Sequence, residues 1–257
     1  MSTIVKFNAH TKAAKSFYYD VVTSGNSSLY LGIGRNTAWA DDANPPVPVD
    51  TKQEETDFWD NLIGIQRVQA NDVQLMVPRY DWAAGLTDFV VFDVNDPNAY
   101  NTKFYCKNSN NDVYELIAKT NATDATVTEP VGTGQNISTG DGHTWKYLYS
   151  ISASDATNLM TVSWMPVSDH NFANKLGARY LVLRAVITDT SLPVDVQYRQ
   201  IGAITNPLDS AGNPVVADSE VQANLQLYSG TVMYIENRTP ISRLSGQSET
   251  LLIILQF

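Results

Sequence analysis

One cysteine and three histidines in 257 residues are too few for most of the chemistry those side chains serve. Cys106 has no second cysteine to pair with, so a disulfide framework is excluded. His10, His143 and His170 stand in no H-x-x-x-H or H-E-x-x-H spacing, which leaves a zinc site without support. Charge is scarce too: 17% of residues are charged, against about 25% in an average soluble protein. Positive charge is the scarcer sign, with 17 Lys and Arg against 27 Asp and Glu and a formal net charge of −10. Non-specific binding to nucleic acid, or docking on an anionic membrane, needs clustered cations, and both are disfavoured. Long apolar runs are missing as well. Leu251–Leu255 is far short of the ~20 residues that span a bilayer. Residues 1–15 hold no apolar core of signal-peptide length, so the expectation is a protein made in the cytosol.

What is present is polar but uncharged. Asn, Ser, Thr and Gln supply the hydrophilic surface, and 10% of residues are aromatic. A weakly charged surface with many Tyr and Trp suits a protein that buries its exterior in protein contacts, and equally suits an ordinary β-rich domain. The length allows one large domain or two modest ones. A chain of this size buries about 70–75% of its unfolded surface and needs no staple.

Two helices are expected. One covers Thr11–Val22. The other follows the stiff Pro45, Pro46 and Pro48, with Asp50 and Gln53 at capping-box spacing. Its Glu54, Glu55 and Asp57 favour the positive end of the dipole, and Phe58, Leu62 and Ile65 form one apolar face, with Gly64 marking the weakening end. Strands are expected at Phe89–Phe92, Lys103–Lys107, Val113–Ala118, Trp145–Ile151, Tyr180–Thr188, Val232–Ile235 and Thr250–Phe257. The last is apolar on both faces and reads as central in its sheet. The fold class is α+β, mainly antiparallel β, with sandwich-like layers and a few helices near the N-terminus. Residues 83–174 are strand-and-loop in character. They read as a β-rich insertion between the two parts of a main domain, residues 1–82 and 175–257.

Catalytic motifs are hard to find. Asp141-Gly142-His143 and Asp169-His170 set a carboxylate beside an imidazole, which turn chemistry explains as well as a hydrolase would. Gly32-Ile33-Gly34-Arg35 is half a dinucleotide fingerprint without its third glycine, and reads as a bent strand end. Cys106 reads as a buried structural thiol. The row Trp145, Tyr147 and Tyr149 has the period of one strand face, either an interior layer or a stacking platform for sugars. No metal or cofactor is expected.

Several unusual combinations recur along the chain in a fixed order. Gly34-Arg35 precedes Trp39 and Asn44-Pro45-Pro46; then come Asp57-Phe58-Trp59 and Val77-Pro78-Arg79-Tyr80-Asp81-Trp82. Gly140-Asp141-Gly142 leads to Trp145, and Tyr198-Arg199-Gln200 to Asn206-Pro207. Ser229-Gly230 leads to Tyr234-Ile235-Glu236-Asn237-Arg238 and Pro240. Together these resemble the baseplate wedge subunit of T-even-like contractile-tailed bacteriophages, the gene product eight family. The resemblance spans residues 29–82, 140–151 and 198–257, and fades between Trp82 and Gly140.

The resemblance implies a non-enzymatic, β-rich virion protein of the tail baseplate, assembled in the host cytoplasm. It also implies a homodimer that joins the equivalents of gene products six, seven and ten. The scaffold or interface residues carried over are Arg35, Trp39, Pro46, Trp59, Pro78, Arg79, Asp81, Trp82, Trp145, Arg199, Asn206, Pro207, Asn237, Arg238 and Pro240. In Pro78–Trp82, proline is expected to end a strand while Arg79 and Asp81 pair across the turn. The competing reading is a β-sandwich module that binds glycan through the Trp145, Tyr147 and Tyr149 face; a hydrolase around His143 or His170 is more distant.

Overall fold

The computed structural model describes residues 7–23, 28–188, 195–244 and 246–257. In chain order the elements begin with α1 (Phe7–Thr23), β1 (Leu29–Gly34), α2 (Lys52–Asp60), β2 (Leu62–Arg67) and β3 (Val73–Pro78). There follow β4 (Tyr105–Lys107), β5 (Asp112–Lys119), β6 (Ile137–Ser138), β7 (His143–Ser150), α3 (Ala153–Asn158), β8 (Trp164–Pro166) and α4 (Ala173–Leu176). The chain continues through β9 (Tyr180–Ile187), β10 (Val196–Thr205), β11 (Ser219–Val221), β12 (Thr231–Arg243) and β13 (Glu249–Gln256). The named strands whose register is defined pair antiparallel, so the α+β, mainly antiparallel architecture stands. The described residues of Met1–Ser16, Gln74–Leu181 and Gln256–Phe257 form one compact unit, and those of Phe17–Val73 and Val182–Leu255 another.

The second unit is built on a five-stranded sheet in the order β11-β2-β1-β10-β12. Gly32 of β1 lies opposite Gly202 of β10 because the Phe58 ring of α2 sits there. A Cβ on Gly202 would stand 2.5 Å from that ring. These glycines therefore make a socket in mid-sheet, which corrects the reading of Gly32 as part of a bent strand end. Phe58 and Trp59 pack with Tyr30, Leu62, Ile65 and Ile204 into the core of this unit.

Three further expectations fail here. The N-cap of α2 is Thr51, whose hydroxyl accepts the Glu54 N–H at 3.2 Å, while Gln53 donates to Asp57 instead of closing a box with Asp50. The helix stops at Asp60, and Leu62 and Ile65 belong to β2. Gly64 is a poor helix residue, and Leu62, Gly64 and Ile65 pair with β1 instead, with Ile63 the extra residue of an irregularity. β13 pairs with β9 at one end of its sheet and is not central. Its alternation is nevertheless clear: Leu251, Ile253 and Leu255 are buried, and Leu252 and Ile254 half-buried.

The first unit holds the four-stranded sheet β4-β5-β7-β6 and the β3–β8 pair. Its core is aromatic: Phe89, Tyr114 and Trp145 pack with Cys106 and Leu116, and Phe89 meets Trp145 edge to face at 5.3 Å. The Cys106 thiol is buried there, and burial pushes its pKa well up. Phe89–Phe92 is not a strand. Phe89 makes a single bridge to Lys103 and is buried, but Val90 and Val91 are 41% and 43% exposed, so no second strand covers them. α3 and α4 lie well past the N-terminal region. Ser152, which accepts from Asp155 N–H at 3.0 Å, caps α3, a signal readable in Ser152-x-x-Asp155.

Candidate interface site

Most of the motif residues gather into two places, one in each unit, while Asn206 and Pro207 lie at the C-terminal end of β10. In the second unit, residues 35–50 run without regular structure as a strap from β1 to α2. Arg35 starts it with φ 57°, a left-handed turn fixed by its N–H to the Asn61 carbonyl at 2.7 Å. Its guanidinium lies 3.8 Å from the centroid of the Trp39 ring. The Trp39 backbone N–H donates to Asp42 at 2.8 Å, and its indole N–H to the Arg238 carbonyl at 3.0 Å. Asp42 then takes a two-pronged grip from Arg199: Nε to Oδ1 at 2.8 Å and Nη2 to Oδ2 at 2.7 Å. The same guanidinium donates to the Asn36 carbonyl at 2.9 Å. This hydrogen bonding holds the Asp42 carboxyl below the usual carboxylate range and raises the Arg199 pKa. Further along, Asn237 Nδ2 donates to the Pro46 carbonyl at 3.0 Å while its Oδ1 accepts from Gln200 at 2.8 Å.

The strap is clasped where the sheet is irregular. Tyr198 faces Ile241 and Gln200 faces Asn237, so Arg238, Thr239 and Pro240 on β12 all stand against Arg199 alone. Pro240 has no N–H to give a ladder, and a bulge on the strand that ends the sheet is where such a residue fits. Arg238 turns its side chain back on Glu236, Nε to Oε1 at 2.7 Å. Trp59 is buried under the sheet at 3% exposure. Asn206, with φ 52°, ends β10 and donates to the Ser28 carbonyl at 2.9 Å; Pro207 is buried and accepts from Val215 N–H at 3.0 Å.

In the first unit, Pro78 closes β3 and its carbonyl accepts the Tyr105 hydroxyl at 2.7 Å. Arg79 pairs with Asp81 at 2.8 Å and also reaches the Thr161 carbonyl at 2.9 Å. Lys107, itself buried, adds a second cation 3.3 Å from Asp81. Partial burial alone would raise the Asp81 pKa, but Arg79 and Lys107 together hold it down. Trp82 packs against the aromatic core. Trp145 is fully buried and Tyr149 nearly so, with its hydroxyl on the Pro166 carbonyl at 3.1 Å. A register shift falls between Tyr147 and Tyr149, so the row does not stand as an open platform.

Asp141-Gly142-His143 forms a clasped loop. Asp141 accepts from Thr139 Oγ1 at 2.5 Å and from the backbone N–H groups of Val127 at 2.7 Å, Thr128 at 3.2 Å and His143 at 3.2 Å. Desolvation works against its charge, but these donors win and its pKa falls well below the ordinary carboxylate range. Thr139 thus bonds to the carboxylate, and His143 Nε2 meets no nucleophile among the described residues. Sequence reasoning missed Asp42, Lys107 and Glu54. Asp42 lies 157 residues from Arg199 and 3 from Trp39, and only the local spacing Trp39-x-x-Asp42 hinted at a turn. Among the described residues no helix is long and apolar enough to cross a membrane.

Comparison with known proteins matches the family described as "Bacteriophage T4, Gp8" over residues 3–116 and 169–257. The match passes over 117–168, the span that holds the Asp141 loop and Trp145. A relative, the baseplate wedge protein gp8 of Enterobacteria phage T4, is 24% identical over an alignment of 313 positions covering 93% of each chain.

Proposed function

This chain belongs to the family of bacteriophage T4 Gp8, and we propose on that footing that it is a structural subunit of the baseplate wedge of a contractile phage tail. The observation that carries the reading is the match along nearly the full length of both chains, with the strap, α2 and the β10–β12 bulge all inside the family segments. The protein works through protein contacts and not through catalysis. A low-charge surface with exposed Val47, Val49, Tyr228 and Met233 supports that mode. Its neighbours are a second copy and the equivalents of gene products six, seven and ten.

Among the motif residues, buried Trp59, Trp145 and Arg199 are scaffold, and the more accessible Trp39, Pro46, Asp81, Asn237 and Arg238 lie on surface available to partners. The main domain comprises residues 1–82 and 175–257, with 83–174 inserted; a compact unit that contains all of 83–174 supports the insertion, although that unit also takes in the flanks 74–82 and 175–181 and the described residues of Met1–Ser16. Co-expression with the phage's other baseplate subunits tests the wedge reading. The expected result is a co-sedimenting complex, and a chain that stays alone would overturn it. Light scattering of the purified chain should give twice 28.4 kDa, and a persistent monomer would remove the second copy from the partners.

A further inference from the structure

The strap, the first turn of α2 and the start of β12 enclose a cleft of about 320 Å³. That volume is at the small end of the roughly 300–1,000 Å³ of ligand clefts, room for a few side chains and not for a globular face. Its apolar lining is exposed: Val49 at 57% and Met233 at 44%, with Val47 beside them at 86%. Met233 protrudes for a reason. Ile204 pairs with Val232 and Ala203 with Tyr234, so Met233 is the extra residue of a bulge. Pro45, Pro46 and Pro48 stiffen the strap wall, so little chain entropy is lost when something docks against it.

The rim is acidic. Asp50, Glu54 and Glu55 line the cleft with no Lys or Arg among the lining residues, and Lys52 on the same helix turn is engaged with Glu55 at 2.8 Å. With Glu55 compensated by Lys52, the N-terminus of α2 offers about half a positive charge, too little to offset the two remaining carboxylates. Among the described residues β12 is also the last strand of its sheet, so backbone groups along its outer edge face no further described strand.

We propose that this cleft receives a short extended segment of another baseplate protein, one carrying lysine or arginine beside aliphatic side chains. The proposal rests on the wedge reading and adds the chemistry of one partner. A second copy of this chain is the poorer occupant: at a net charge of −10 it would bring like charge to an acidic rim. The segment is short because the bulge at Met233 and the proline at 240 interrupt the edge on which a long strand would pair.

The test uses the full chain and two synthetic decapeptides, one alternating Lys and Val and one alternating Lys and Ser, read by fluorescence anisotropy. The Lys/Val peptide is expected to bind at least fivefold tighter than Lys/Ser, and to weaken at least fivefold between 50 and 300 mM NaCl. Asp50→Lys should reduce its affinity about tenfold, and Met233→Ser about threefold while leaving the salt dependence intact. Both sites are exposed, so folding should survive; Glu55→Gln provides a milder second variant with an expected twofold to fourfold loss. Equal binding of the two peptides, or equal affinity of wild type and Asp50→Lys, overturns the proposal. Co-sedimentation with the other baseplate subunits separates the two failures. If wild type and Asp50→Lys co-assemble alike, only the cleft proposal falls; if wild type does not co-assemble, the wedge reading falls and the cleft with it.

Discussion

The strap of the second unit and the Pro78–Trp82 turn of the first are written in the same alphabet of Arg, Asp, Trp and Pro, yet they are held in opposite ways. In the turn, proline ends a strand, the aromatics go inward against Trp145, and the ion pair lies on top. In the strap no aromatic reaches the core. Trp39 stays half-buried under Arg35, and the fastening is polar: one bidentate ion pair and side-chain bonds to backbone carbonyls. Removing part of the first arrangement opens a hole in a core. Removing part of the second frees a loop. A surface that must hold neighbours gains from the second design, because its accessible backbone is fixed without spending apolar area that a partner also needs.

The sharpest way to break this contrast is to truncate each tryptophan. Trp145→Ala should cost about 3–5 kcal/mol, the range for emptying a large aromatic site, measured as a lowered urea midpoint by circular dichroism. Trp145→Phe should cost far less, because the indole N–H has no hydrogen-bond partner among the described residues and a phenyl ring keeps most of the area. A large loss in Trp145→Phe would mean that the indole nitrogen matters and that the core description is wrong.

Next in size is the Asp141 clasp, which fastens the loop before β7. Asp141→Asn keeps the shape but loses charge and acceptor capacity, leaving a donor short; about 1–3 kcal/mol is expected. The sign with pH is fixed by the depressed pKa. The folded carboxyl ionises more easily than the unfolded one, so its contribution is complete above about pH 4. It is lost as pH falls from there through the folded value. Wild type and Asp141→Asn should therefore converge in stability as the solution is acidified. Parallel curves from pH 7 to pH 2 would sink the assignment.

Much of this was legible in the residues. Alternation in Tyr180–Thr188 and Trp145–Ile151 marked strands, found at Tyr180–Ile187 and His143–Ser150, Asp141-Gly142 marked a turn, and the order of the motifs pointed to the family. The failures share one cause. Leu62 and Ile65 looked helical because four-residue spacing continued from Phe58, but β1 offered them a ladder that no local pattern reveals. Gly32 reads as part of a bent strand end, and only the Phe58 ring packed against it and against Gly202 gives the reason for it. The clasp on the strap depends on Asp42 meeting Arg199, far apart in sequence, and tertiary pairing of that kind leaves no periodic trace.

A third experiment separates the strap from the sheet beneath it. Arg199→Ala removes the grip on Asp42 and the bond to the Asn36 carbonyl, while β10 keeps its neighbours β1 and β12. Hydrogen exchange should quicken at Trp39, whose N–H is held by Asp42, and remain slow at Ile201 and Ala203 in the paired core of β10. Equal acceleration along β10 would show that the clasp supports the sheet as well.

The smallest change is the most discriminating. Trp39→Phe retains a ring for the Arg35 guanidinium but loses the indole bond to the Arg238 carbonyl. A single neutral hydrogen bond contributes about 0.5–1.5 kcal/mol, and Arg238 is only half-buried on the edge strand, so the lower end is expected. If the strap is fastened by several independent bonds, combining Trp39→Phe with Arg199→Ala should add. If Trp39 and Arg199 work as one clasp through their shared partner Asp42, the double variant should cost less than the sum by at least 0.5 kcal/mol, the coupling typical of groups in one network. The geometry favours coupling, because the Asp42 carboxylate both accepts the Trp39 N–H and receives the Arg199 fork, so losing the fork already loosens the ring. Strict additivity would divide the strap into separate fasteners and remove its likeness to a single latch.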